Sequence, residues 1–442
     1  MQKSEEAPLL PGDKEESMKQ QLDLRLPIVS LTFLGQFYVT GLVPWESDIS
    51  ADFNRRAGFA SQLGGAIALF LPLGTVLAMF MVPRLGWLVS ALVTVSVIAA
   101  GSILGGVSIL LPALHFPWVL LAAEFIMSMG AGTKYIAKLL GVLSTTVEKR
   151  NEIFVMIQMS NEAASLARFL IPPLFTIGQG AHLAHGFITI PFIATLLISI
   201  LAAAVVLVYL PNRIPMVAAK DRSVKTEGGG SGKAMSSEEK GRRIFIICLS
   251  LAMGLLKNLV TSMSNNQQVA IYRHFGDYTM LTCCLLMALP KLTNVIFLPC
   301  AQFVVSNWQI TDKCVVRWMV GSAVVAAASL MFPFEDPPAT GGLVPSDIIK
   351  YTVGNCIMSG LLSVANALTK SHGTKYAIEG SFFFSSESIV FLQLVFVTSL
   401  GPALGPVLGY GLSVESSVRS SVGVLCGILC AIFAMTTGLG DA

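Results

Sequence analysis

Runs of apolar residues, each long enough to cross about 30 Å of hydrocarbon as a helix, recur twelve times along this 442-residue chain. They lie near 26–45, 57–82, 86–111, 116–145, 151–178 and 186–210, then 243–268, 278–304, 314–333, 347–370, 377–410 and 417–439. Inside a bilayer every backbone N–H and C=O must be paired within the protein, and single runs of this length achieve that as helices. Only 12% of residues are charged and 54% are hydrophobic, against about 25% charged in a soluble domain. An all-α integral membrane protein follows. The net charge of +3 is small and scattered, which excludes nucleic acid as a partner.

The longest polar interruption runs from Asn212 to Arg243 and contains "KTEGGGSGKAMSSEEKGRR". Gly, Ser and charge in that proportion predict a disordered linker. The expected organisation is a disordered cytoplasmic tail over 1–25, a six-helix bundle over 26–211, a cytoplasmic linker over 212–242, and a second six-helix bundle over 243–442. With the N-terminus inside, the outer segments hold only Arg55, Arg56, Arg273, Lys350 and Arg419, and all other loop Lys and Arg fall inside. That asymmetry predicts both termini cytoplasmic. The polar start, "MQKSEEAPLLPGDKEESMKQQ", predicts no cleavable signal peptide.

"MSNEAASLAR", Met159 to Arg168, interrupts the fifth apolar run with Glu162 and Arg168. A charge at mid-membrane is expensive, so such residues face a bundle interior or an aqueous path. Lys134, Lys257, Lys291 and Glu387 fall at similar depth in the fourth, seventh, eighth and eleventh runs. Together with Glu162 they form the candidate proton-coupling cluster, because buried ionisable groups exchange protons as their surroundings change. Arg168 is expected to pair with Glu124. "FSSESIVFLQ", Phe384 to Gln393, repeats the spacing of "MSNEAASLAR" and aligns Glu387 with Glu162. Uncharged polar residues complete a candidate substrate cavity: Gln36, Tyr38, Tyr135, Asn161, Asn258, Asn294, Asn355 and Asn366. A mixed, mostly apolar lining suits a medium-sized organic molecule, and an excess of lysine tilts it toward anions.

Over Leu26 to Leu439 the chain resembles the major facilitator superfamily, more narrowly its fungal branch found beside secondary-metabolite gene clusters. "VPWESDISADF" (Val43 to Phe53) stands at the exit of the first helix. "LPLGTVLAMFMVPRLGWL" keeps the gating-loop Arg84 and Gly86, with Pro83 and Trp87 where the family has an acid and an Arg. "TTVEKRNEIF" keeps Arg150, and "SLGPALGPVLGYGL" supplies Gly401, Gly405 and Gly409 for close helix packing. The resemblance implies two six-helix bundles related by a pseudo-twofold axis. It also implies a cavity lined by helices 1, 4, 7 and 10, and helix 7 beside helix 11, which would pair Lys257 with Glu387.

The function so implied is proton-coupled efflux of a small organic secondary metabolite by a monomer using alternating access. The alternatives are a nutrient facilitator or importer, and a transport-inactive receptor or scaffold. No enzyme, cofactor or metal site is expected. "EGGGSGKA" lacks the first Gly and the final Ser/Thr of a phosphate-binding loop, and His115, His182, His185, His274 and His372 show no ligand spacing. The eight cysteines, all in the second half, read as small buried hydrophobes. "EEAPLL", with Glu5 ahead of Leu9 and Leu10, has the form of an acidic-dileucine sorting signal. It points to vacuolar or endosomal membranes, with the plasma membrane as the other destination.

Overall fold

The structure is a computed structural model that describes residues 11–40, 45, 49, 52–53, 59–147, 149–176, 185–211, 236–275, 280–308, 311–330, 345–378, 380–405 and 418–441. Glu5, Leu9 and Leu10 lie outside the described residues, as does most of the expected linker.

Among the described residues the chain makes twelve helical traverses. The first half comprises α1 (Pro11–Thr40), α2 (Phe59–Leu85), α3 (Trp87–Leu110), α4 in two pieces (Pro117–Met129 and Gly132–Leu143), α5 (Arg150–Thr176) and α6 (Ile190–Tyr209). The second comprises α7 (Ser237–Phe275), α8 (Met280–Trp308), α9 (Asp312–Ser329), α10 (Pro345–Lys375), α11 (Ser386–Leu392, continuing as a π-helix over Gln393–Leu400) and α12 (Val418–Asp441). Eight of the described helices are long and apolar enough to cross a membrane by length and composition. Large apolar side chains on them are exposed, among them Leu197, Leu201, Phe303 and Ile349. The protein is an integral multi-pass membrane protein.

Several boundaries differ from the sequence expectation. Helix α1 starts at Pro11, well inside the expected tail, and α7 starts at Ser237. Helix α10 runs on to Lys375, so Lys370 is helical. The eleventh apolar run begins at 377, but α11 begins only at Ser386. Gly380, at φ 81°, turns the chain in a region that favours glycine, and the Ser385 hydroxyl caps α11 by accepting from the Ser388 N–H at 3.3 Å. Phe382 and Phe383 therefore sit exposed in the connecting turn.

Each half packs chiefly within itself: α1 against α4, α5 and α6, and α10 against α7, α8 and α9. The halves meet where α5 packs on α8 and α10, and where α2 packs on α11. Close approach of α11 to α7 depends on two glycines. A Cβ on Gly401 would lie 2.9 Å from Asn258 Cβ, and one on Gly405 only 2.4 Å from Ser262 Cβ. The π-helical stretch of α11 shifts its backbone bonding, and Asn258 on α7 donates to the Val397 carbonyl at 2.5 Å.

Candidate functional site

A cavity of about 150 Å³ lies between the halves, lined from α1, α4, α5, α7, α8, α10 and α11. That is about the space that holds a benzene-sized molecule in a protein interior, so in this conformation the occupant is small. Among the described residues its lining carries six cations, Lys134, Lys138, Arg168, Lys257, Lys291 and Lys370, against the single carboxylate Glu162.

Glu162 is fully engaged. Its Oε1 accepts from Ser363 at 2.8 Å and from Gln158 at 2.7 Å, and its Oε2 accepts from Asn294 at 2.8 Å. The Lys291 ammonium lies 3.9 Å from Oε2. Glu162 and Gln158 sit one helical turn apart on α5, while Ser363 and Asn294 belong to α10 and α8, so the network joins the two halves. Asn366 on α10 adds a bond to Gln158 at 3.2 Å. A buried charge needs such partners, since desolvating it alone outweighs any single contact.

The cations are served unevenly. Lys134 donates to Gln36 Oε1 at 2.8 Å, and Gln36 in turn donates to Ser165 at 3.3 Å. Arg168 lies over the Phe169 ring, 4.2 Å from its centroid. Lys138 stands one turn beyond Lys134 on α4, and Lys370 on α10 lines the same cavity, so three ammonium groups share it with no ion pair to a carboxylate among the described residues.

Of the residues singled out in the sequence, the cavity gathers Glu162, Lys134, Lys257, Lys291, Gln36, Asn161, Asn258 and Asn366. Tyr38, Tyr135, Asn294 and Asn355 lie outside its lining. Asn294 supports Glu162, Asn355 accepts from Ser264 at 3.3 Å, and Tyr38 is buried with no hydroxyl partner among the described residues.

Two expectations are corrected. Glu387 occupies the first turn of α11, exposed, and forms no ion pair with Lys257. The short repeat aligned it with Glu162, but the Ser385 cap puts it at a helix end; the buried polar residues farther along α11 are Gln393 and Ser399. Glu124 does not pair with Arg168, since neither of its carboxylate oxygens has a partner among the described residues. Reasoning from the sequence missed Lys138 and Lys370. A lysine four residues after Lys134 lies on the same helical face, which was the available signal for Lys138.

The gating residues are held in different ways. Arg84 is exposed at the end of α2, Gly86 takes φ 82° in the α2–α3 turn, and buried Arg150 donates from α5 to the Thr374 carbonyl of α10. Beside it Ser371 donates to Asn151 at 2.6 Å. Where α5 begins and α10 ends, the halves are thus bonded to one another.

This arrangement of two six-helix halves around a central cavity is the major facilitator fold. The chain superposes on FucP, a major facilitator superfamily transporter in the outward conformation, with a TM-score of 0.66 at 12% identity, covering 93% of this chain and 97% of that one. A variant of the E. coli fucose:proton symporter FucP gives 0.63 at 11% identity, covering 93% and 98%. The human organic anion transporter MFSD10 gives 0.61 at 13% identity, covering 94% and 99%. No family model matches the chain, and no curated protein matches it in sequence.

Proposed function

We propose that this protein is a secondary active transporter that moves a small organic anion across a membrane by alternating access. The observation that carries this reading is the cavity lining, with six cations and one carboxylate among the described residues. Cationic linings select anions, because field and desolvation both act on the charge of the guest. The organic anion transporter among the solved neighbours supports the same substrate class, and the fucose:proton symporter supports a proton as the coupling ion. Efflux, a secondary metabolite as cargo and cytoplasmic termini belong to the reading through the family resemblance and the loop charges. A cavity of about 150 Å³ supports a small acidic cargo over the medium-sized organic molecule expected from the sequence.

The test is counterflow in proteoliposomes preloaded with a mixture of organic acids, sugars and organic cations. Retention of a labelled acid, raised or lowered by a pH gradient, is the expected result. Exchange confined to sugars or cations would remove the anion reading, and no exchange of any class would favour the receptor alternative.

A further inference from the structure

Within the cavity, contact with a carboxylate is distributed unevenly among the lysines. Around Glu162, the carboxylate offsets Lys291 at 3.9 Å and accepts from Asn294, Ser363 and Gln158. Among the described residues none of Lys134, Lys138 and Lys370 forms an ion pair; Glu162 acts on Lys370 only from beyond contact, against the repulsion of Lys138 and Lys257. The three lysines are only 5%, 4% and 8% exposed, and each has another of the three as a like-charged neighbour. Lys134 has the Gln36 carbonyl oxygen, whereas Lys138 and Lys370 form no side-chain hydrogen bond or ion pair among the described residues. Like charges gathered in a space of low dielectric repel strongly. A chain that retains them needs something else to hold them.

We propose that Lys134, Lys138 and Lys370 form a subsite for the doubly charged group of a small dianion, a dicarboxylate or a phosphate monoester. This rests on the anion reading above and adds the valence of the substrate. A monoanion would leave the three-lysine group strongly positive, whereas a dianion neutralises most of it. Lysine serves phosphate and carboxylate alike as a point charge, without the fixed fork of arginine. A cavity of about 150 Å³ suits a dianion whose remainder is small. Lys134 and Lys138 belong to the first half and Lys370 to the second, so a dianion seated there bridges the two halves. In the same lining Asn161 Oδ1, without a partner among the described residues, offers an acceptor to the polar, uncharged part of the substrate.

The experiment is calorimetric titration of the purified full-length protein with succinate, glycerol 3-phosphate, butyrate and L-fucose, together with thermal unfolding of Lys138→Gln and Lys370→Gln. Succinate or glycerol 3-phosphate should bind at least tenfold more tightly than butyrate, and which of the two binds distinguishes carboxylate from phosphate. Each variant should lose most of that preference for the dianion. Each should also unfold at a higher temperature than the parent without ligand, because one repelling charge is gone, a change that a purely structural lysine would reverse. Butyrate binding as tightly as succinate and glycerol 3-phosphate would overturn the subsite and leave the anion reading standing. Binding of fucose with no response to any acid would overturn both. No response to either dianion would also overturn the subsite, and so would variants that keep the full preference.

Discussion

The Ser363 hydroxyl on α10 donates to the Glu162 carboxylate on α5 across 2.8 Å. The only carboxylate among the described residues of the cavity lining is therefore bonded across the boundary between the halves, and it cannot be protonated or released without disturbing that boundary.

Neutralising Glu162 should be costly. Glu162→Gln leaves the Lys291 ammonium without its counter-charge at 3.9 Å, and breaking a buried pair from one side costs about 3–5 kcal/mol. Lys291→Met alone should be comparably harmful. The double variant should be less damaged than the two single effects predict, with a coupling of about 1 kcal/mol or more. Thermal unfolding of the four proteins in one detergent measures this; simple additivity would show that the two side chains are not partners.

The glycines of α11 should tolerate little. In Gly405→Ala the new Cβ would lie 2.4 Å from Ser262 Cβ and 3.0 Å from the Met263 nitrogen. Overpacking of this kind costs about 1–3 kcal/mol. Gly427→Ala on α12 meets nothing within 4 Å, so it should be neutral or slightly stabilising through helix propensity. Equal unfolding temperatures for the two variants would remove the α7–α11 contact as a packing constraint.

How much of this was legible in the sequence depends on what a residue's neighbours contribute. Glu162, Lys134, Lys257 and Lys291 were visible because a charge in an apolar run is itself a signal. The glycines of "SLGPALG" were visible because small residues permit close helix approach. Lys370 is hidden by one boundary, since the tenth apolar run stops at 370 while the helix continues to Lys375. Glu387 was misplaced because a ten-residue likeness between halves outweighed the Ser385 cap, which is a local signal for a helix start. The bond from Asn258 to the Val397 carbonyl depends on a π-helical segment, and no sequence period announces one.

Alternating access requires the bonded end of the halves to part. Ser371 and Asn151 touch at 2.6 Å across that boundary, so cysteines at both positions, in a background without the native cysteines, should form a disulfide. Counterflow should fall to background when the bridge is oxidised and return on reduction. Full exchange with the bridge intact, verified by mass spectrometry, would show that the halves do not separate there.

The sign of charge entering the cavity is the most direct measurement. Proteoliposomes adsorbed to a solid-supported membrane electrode report charge moved into the protein within milliseconds of a jump in solute. A cavity lined, among the described residues, by six cations and one carboxylate should give, on a jump in succinate or glycerol 3-phosphate, a transient current of the sign of negative charge entering. Its amplitude should fall in Lys370→Gln, and an equal jump in L-fucose should leave the trace flat. A transient on fucose with the sign of an entering proton, and none on any organic acid, would contradict the assignment of this protein as an anion transporter.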